Sequence, residues 1–168
     1  MKRSAALLVL LLPFASFAGD IPDIAFYRSA AEGGIAEVDM GNLAQQQARS
    51  PSVKEFGAMM VKDHSAANEK LKALAESKNI TLPANSSVEE IAAKAKLKVL
   101  SGSSFDKSYI KGMIKDHEED IAEFKKEAAS GQDPEARAFA KATLPTLEAH
   151  LKKIQSIAAE AGVSGDSN

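Results

Sequence analysis

Cysteine is absent from this 168-residue chain. Its absence excludes disulfides, thiolate metal sites and the CxxCH attachment of haem, and leaves no residue for a lipid anchor. There is no convincing period-2 alternation of apolar residues, so no strands are expected. A nucleophile motif, a phosphate-binding glycine loop and a convincing acid–base carboxylate pair are all missing, which leaves a catalytic role without support. The apolar run from Ala5 to Phe14 is too short to span a bilayer, which takes about 20 such residues. Histidine is scarce. Only His64, His117 and His150 occur, and each falls near the middle of a different expected helix, on its apolar side.

Residues 1–18 read as a secretory signal. Lys2 and Arg3 give the charged start, and Ser16-Phe17-Ala18 the small-x-small cleavage site. Cleavage is expected before Gly19, leaving a four-helix-bundle domain of residues 19–168. With Lys2 and Arg3 removed, 19 basic residues face 23 acidic ones, a net charge of −4. That balance argues against nucleic acid or an anionic membrane surface as partner. A soluble periplasmic protein is the expectation, with no membrane insertion after cleavage and no protein partner indicated.

Apolar residues recur at three- and four-residue spacing after Asp23. Helices are expected over residues 22–48, 51–78, 87–100, 104–130 and from Asp133-Pro134 onward. Ser50 can cap the second helix with Pro51 at its first position. Ser87 and Glu90 form a capping-box pattern before the short third helix. Gly131 suits the end of the fourth. Four long helices, with the short one in the crossover between the second and third of them, describe an all-α, ferritin-like four-helix bundle. The runs F-x-x-x-M-V-K-D-H (Phe56 to His64) and Y-x-x-x-M-I-K-D-H (Tyr109 to His117) repeat one device on two helices.

Glu37, His64, His117 and His150 all lie near mid-helix. In an antiparallel bundle mid-helix positions meet at one height, so one carboxylate and three imidazoles are expected at a common centre. Such a set fits zinc, iron, manganese or copper as a divalent ion. Asp63 and Asp116 each precede a histidine and point about 100° away from it. They are expected either to orient a histidine on a neighbouring helix or to pair with Lys62 and Lys115. Met60 and Met113, one turn before two of the histidines, read as core filling, with copper(I) ligation as the alternative. Pro145 should kink the last helix before His150, and Gly33-Gly34 should allow a close helix approach near Glu37. Di-iron chemistry is disfavoured, because Val61, Ile114 and Leu147 stand where Glu-x-x-His motifs need glutamate. Haem between Met60 or Met113 and His150 would leave the other two histidines without purpose. A metal-free alternative is an interaction or stress-protection protein using the charged exterior around Lys125-Lys126 and Glu118-Glu119-Asp120.

The runs Ala30-Ala31-Glu32-Gly33-Gly34 with Glu37-Val38, and Met60-Val61-Lys62-Asp63-His64-Ser65-Ala66-Ala67-Asn68, resemble the DUF4142 family. Leu100-Ser101-Gly102, Phe105-Asp106 with Tyr109, Asp116-His117, and Leu144-Pro145-Thr146-Leu147 with His150-Leu151 agree with it. The resemblance covers nearly all of the expected mature chain. It implies a ferritin-like fold and export, and supplies no activity.

Overall fold

A computed structural model describes residues 23–163. The expected signal sequence, and cleavage before Gly19, lie outside the described residues. Five helices follow one another: α1 (Ile24–Gln47), α2 (Pro51–Ser77), α3 (Val88–Lys98), α4 (Gly102–Ser130) and α5 (Pro134–Glu160). Among the described residues there is no strand, only an isolated parallel bridge between Ala48 and Gly102. The architecture is the expected one, a ferritin-like four-helix bundle with α3 lying in the crossover from α2 to α4.

The long helices form two antiparallel hairpins. α1 packs mainly on α2 and α4 mainly on α5, while α1 with α4 and α2 with α5 touch less extensively. Opposed glycines set the crossing of the first hairpin. A methyl at Gly41 would come 2.6 Å from the Gly57 carbonyl oxygen, and one at Gly57 would come 2.7 Å from that of Gly41. The two backbones therefore touch, and this contact sets the register of α1 against α2, with Glu37 and His64 one to two turns beyond it on the side away from the α1–α2 turn.

Two buried aspartates fasten the ends. Asp106 accepts the backbone N–H groups of Arg49 and Ser50, both at 2.9 Å, tying the α1–α2 turn to the start of α4. At the far end Asp133 Oδ1 caps α5 by accepting from Glu135 N–H (3.0 Å), while Oδ2 accepts from Tyr27 O–H (2.8 Å) and pairs with Lys78 (2.9 Å). Asp23, which opens α1 with a left-handed φ of 61°, accepts from the N–H groups of Gln132 and Asp133 at 2.6 Å. Tyr27 is fully buried and belongs to this fastening.

The core divides into two layers. One gathers Met40, Phe56, Met60, Phe105, Tyr109, Met113 and Ile154 toward the Asp106 end. The other gathers Phe26, Leu71, Phe124, Ala136 and Leu147 toward the Asp133 end. Met60 and Met113 are wholly buried in the first layer, as core-filling methionines are.

Candidate metal centre

His64, His117 and His150 are all buried, and one ring nitrogen of each lies within 4.8 Å of the other two. Matching heights on α2, α4 and α5 bring them together. α5 runs unbroken through Pro145, one turn before His150. The ring centroids are 5.4–5.8 Å apart. Phe56 closes one side, its ring 6.2 Å from that of His117 and 6.3 Å from that of His150.

Outer hydrogen bonds fix two of the three tautomers. His117 Nδ1 lies 2.8 Å from the Met113 carbonyl oxygen, which can only accept, so Nδ1 carries the proton. His150 Nε2 lies 3.0 Å from Asp63 Oδ2, a carboxylate oxygen, so that nitrogen is likewise the donor. The remaining nitrogens, His117 Nε2 and His150 Nδ1, face each other at 3.4 Å. In the neutral rings both are lone-pair acceptors with no proton between them. His64 Nε2 is buried without any hydrogen-bond partner.

The rings are held neutral. Burial, reinforced by His117 and His150, lowers His64 to about 3. Burial and His150 lower His117 to about 4 against the opposing pull of the Met113 carbonyl. Burial also lowers His150, partly offset by Asp63. Three neutral imidazoles with converging lone pairs repel one another and attract a cation.

Glu37 is brought close but outside this group. Its Oε1 lies 3.4 Å from His117 Nδ1, the outer nitrogen already committed to Met113. It is 3% exposed, and neither oxygen has a hydrogen-bond partner. Burial, then Asp120, Asp116 and Glu90, push its carboxyl well above the ordinary range. Gly34 makes room here: a methyl on it would overlap the Asn68 amide, whereas one on Gly33 would meet Asp120 Oδ1 at an ordinary contact distance of 3.7 Å. A cavity of about 20 Å³, lined in part by Gly33, Gly34, His64, Asn68 and Asp120, lies beside the histidines. It is large enough for one water.

The two Asp-His pairs diverge. Asp63 orients His150 across the α2–α5 seam. Asp116 instead sits among acids, raised to about 6 by burial despite Lys115, while Lys115 itself pairs with Glu119. Asp120, expected on a charged exterior, turns inward toward Gly33 and is raised to about 7, chiefly by burial. Two features were not anticipated: the Met113 carbonyl as partner of His117, and Glu90 as a half-buried acid. The first is a backbone atom invisible to side-chain patterns. Glu90 does occupy its capping position, its N–H donating to Ser87 Oγ at 3.2 Å.

The profile of DUF4142, a domain of unknown function, matches residues 15–157. None of the curated proteins matches the sequence significantly. Solved structures share the fold. A DUF305 protein from Streptomyces coelicolor superimposes with a TM-score of 0.75 at 13% identity, covering 88% of this chain and 97% of that one. A DUF305 fragment from Deinococcus radiodurans gives 0.73 at 12% identity, covering 82% and 95%. CopM in its Cu(I)-bound form gives 0.70 at 19% identity, covering 84% and 98%. CopM has also been solved in Cu(II)-bound, silver-bound and apo forms.

Proposed function

We propose that this chain, which belongs to the DUF4142 family, is a metal-binding helical bundle whose ligands are His64, His117 and His150. The observation that carries the reading is the pair of deprotonated nitrogens facing each other at 3.4 Å. Two nitrogens each 2.0–2.1 Å from a tetrahedral ion stand about 3.3 Å apart, so the spacing already suits one ion. The outer contacts, Asp63 on His150 and Met113 O on His117, are the kind that orient metal-bound histidines and set their tautomers. Glu37, beside His117, is held as a neutral acid in the metal-free protein, and a bound cation would favour its ionisation there without bringing it into the imidazole set.

Three imidazoles without a thiolate suit a borderline ion, with zinc and copper foremost. Copper gains support from the fold shared with CopM, which has been solved with copper and with silver. Storage, buffering or stress response in the periplasm is the role that fits a buried three-histidine site with no catalytic motif beside it. Export is supported by the signal-like start of the sequence, and one structural neighbour is described as a secreted protein. No helix among the described residues is long and apolar enough to cross a membrane.

The test is elemental analysis of protein purified without an affinity tag or chelator, beside a His64→Ala/His117→Ala double variant. Near one metal per chain, lost in the variant, is the expected result. No metal in either sample, even after reconstitution with zinc or copper, overturns the proposal and leaves the histidines as a device for helix register.

A further inference from the structure

The crossover helix α3 presents an outward face that the bundle does not use. Among the described residues four large apolar side chains are exposed, and three belong to this segment: Val88 (76%), Ile91 (51%) and Val99 (83%). Val99 ends the helix with helical backbone angles, so the spacing extends to it. At about 100° per residue, Val88, Ile91, Ala92, Ala95 and Val99 fall within one stripe roughly 100° wide. Leu97, the buried residue of α3, lies about 180° from Val88. The helix is therefore amphipathic on both sides, with one apolar edge docked on α1 and α4 and the other facing solvent.

The charges along that face are segregated. Glu89 and Glu90 open the helix, and Lys96 and Lys98 close it. Glu89 and Lys96 are both exposed and lie on the same flank of the outward stripe, about 80–100° from Val88. We propose that α3 is a self-association surface, pairing antiparallel with α3 of a second copy about a twofold axis. In that arrangement like flanks face each other. Val88 meets the partner's Val99, Ala92 meets the partner's Ala95, and Glu89 meets the partner's Lys96, each contact occurring twice. In a parallel twofold pair this flank would face the opposite flank of the second copy, and the Glu89–Lys96 contacts would be lost. The alanines at the centre let the two helices approach closely.

An 11-residue helix is only about 16 Å long, so the pair buries less than the roughly 1,200 Å² of a stable interface. The association is therefore concentration-dependent, and the body of each copy stays on its own side of the helix pair. Nothing in it depends on the histidine site.

Sedimentation velocity on the mature chain, from about 10 μM to about 1 mM, tests the proposal. Reversible dimerisation is expected. Val99→Glu and Glu89→Lys should each weaken it about tenfold, and the swap Glu89→Lys/Lys96→Glu should restore it over the single variant. Far-UV circular dichroism on each variant checks that α3 keeps its helicity. If the swap unwinds the helix, Ile91→Glu together with Val99→Glu replaces it and should abolish the dimer. A monomer at every concentration, whatever else this face binds, overturns the proposal. So does a dimer unaffected by Val99→Glu, or one that the folded charge swap fails to restore.

Discussion

Asp106 and Asp133, at the two ends of the bundle, and Glu37, in its middle, are all buried acids. Every carboxylate oxygen of the two aspartates has a partner: two backbone N–H groups for Asp106, and a backbone N–H, a phenol and an ammonium for Asp133; the buried Glu127 near that end keeps one lone unpartnered oxygen, Oε1. Burial alone would raise Asp133, but its bonds to Lys78, Glu135 and Tyr27 hold it well below the ordinary carboxyl range. In the middle both oxygens of Glu37, Nε2 of His64 and the hydroxyl of Tyr109 are buried and unpartnered. A saturated group builds the fold. A cluster of unsaturated groups around three ring nitrogens, each kept at a cost of about 1–3 kcal/mol, points to a ligand that completes it.

Substitutions at the two places should therefore move stability in opposite directions. Asp133→Ala strands the Tyr27 hydroxyl and removes the α5 cap, so a loss of about 3 kcal/mol is expected in urea unfolding of metal-free protein. A loss under about 1 kcal/mol would show that this end is held by packing alone. Glu37→Met removes an orphaned acid and fills its space with apolar atoms. It should stabilise the metal-free protein by about 1 kcal/mol while weakening metal affinity about tenfold or more. Destabilisation in the metal-free state would mean that Glu37 has a structural partner after all.

The smallest effect concerns pH. Burial raises Glu90 to about 7, against a backbone N–H from Ser87 that favours its charged form. Because the folded value lies above the ordinary 4.5, the contribution of Glu90 to stability is present below about 4.5 and is lost as pH rises through about 7. Glu90→Gln should match the parent near pH 4.5 and exceed it by about 1 kcal/mol at pH 8, after allowance for solvent screening. Equal stability at both pH values would place Glu90 in a freely solvated setting.

Periodicity made the helices and the meeting of three histidines legible, because both depend on which face of a helix a residue occupies. It also placed Glu37 inward. It could not say that Glu37 would stand behind His117 instead of among the ring nitrogens, since that depends on side-chain rotamers and on a carbonyl at Met113. The repeated Asp-His dipeptide shows the same limit. Asp63 and Asp116 have the same local sequence, yet one faces α5 and finds His150 while the other lies among carboxylates. Gly41 and Gly57 carried a signal that spacing arguments passed over: a glycine inside each of two consecutive helices, where the backbone contact between them accounts for the loss of helix propensity.

The hairpin division of the bundle also bears on how the chain would come apart. Each hairpin is made from contacts close in sequence, which form quickly, whereas the seam between them joins distant segments. His64 belongs to the first hairpin, and His117 and His150 to the second. An ion shared among them would act as a clasp across the seam that closes last. It would slow the opening of the native molecule far more than it would hasten assembly, and the molecule's lifetime would then follow metal supply.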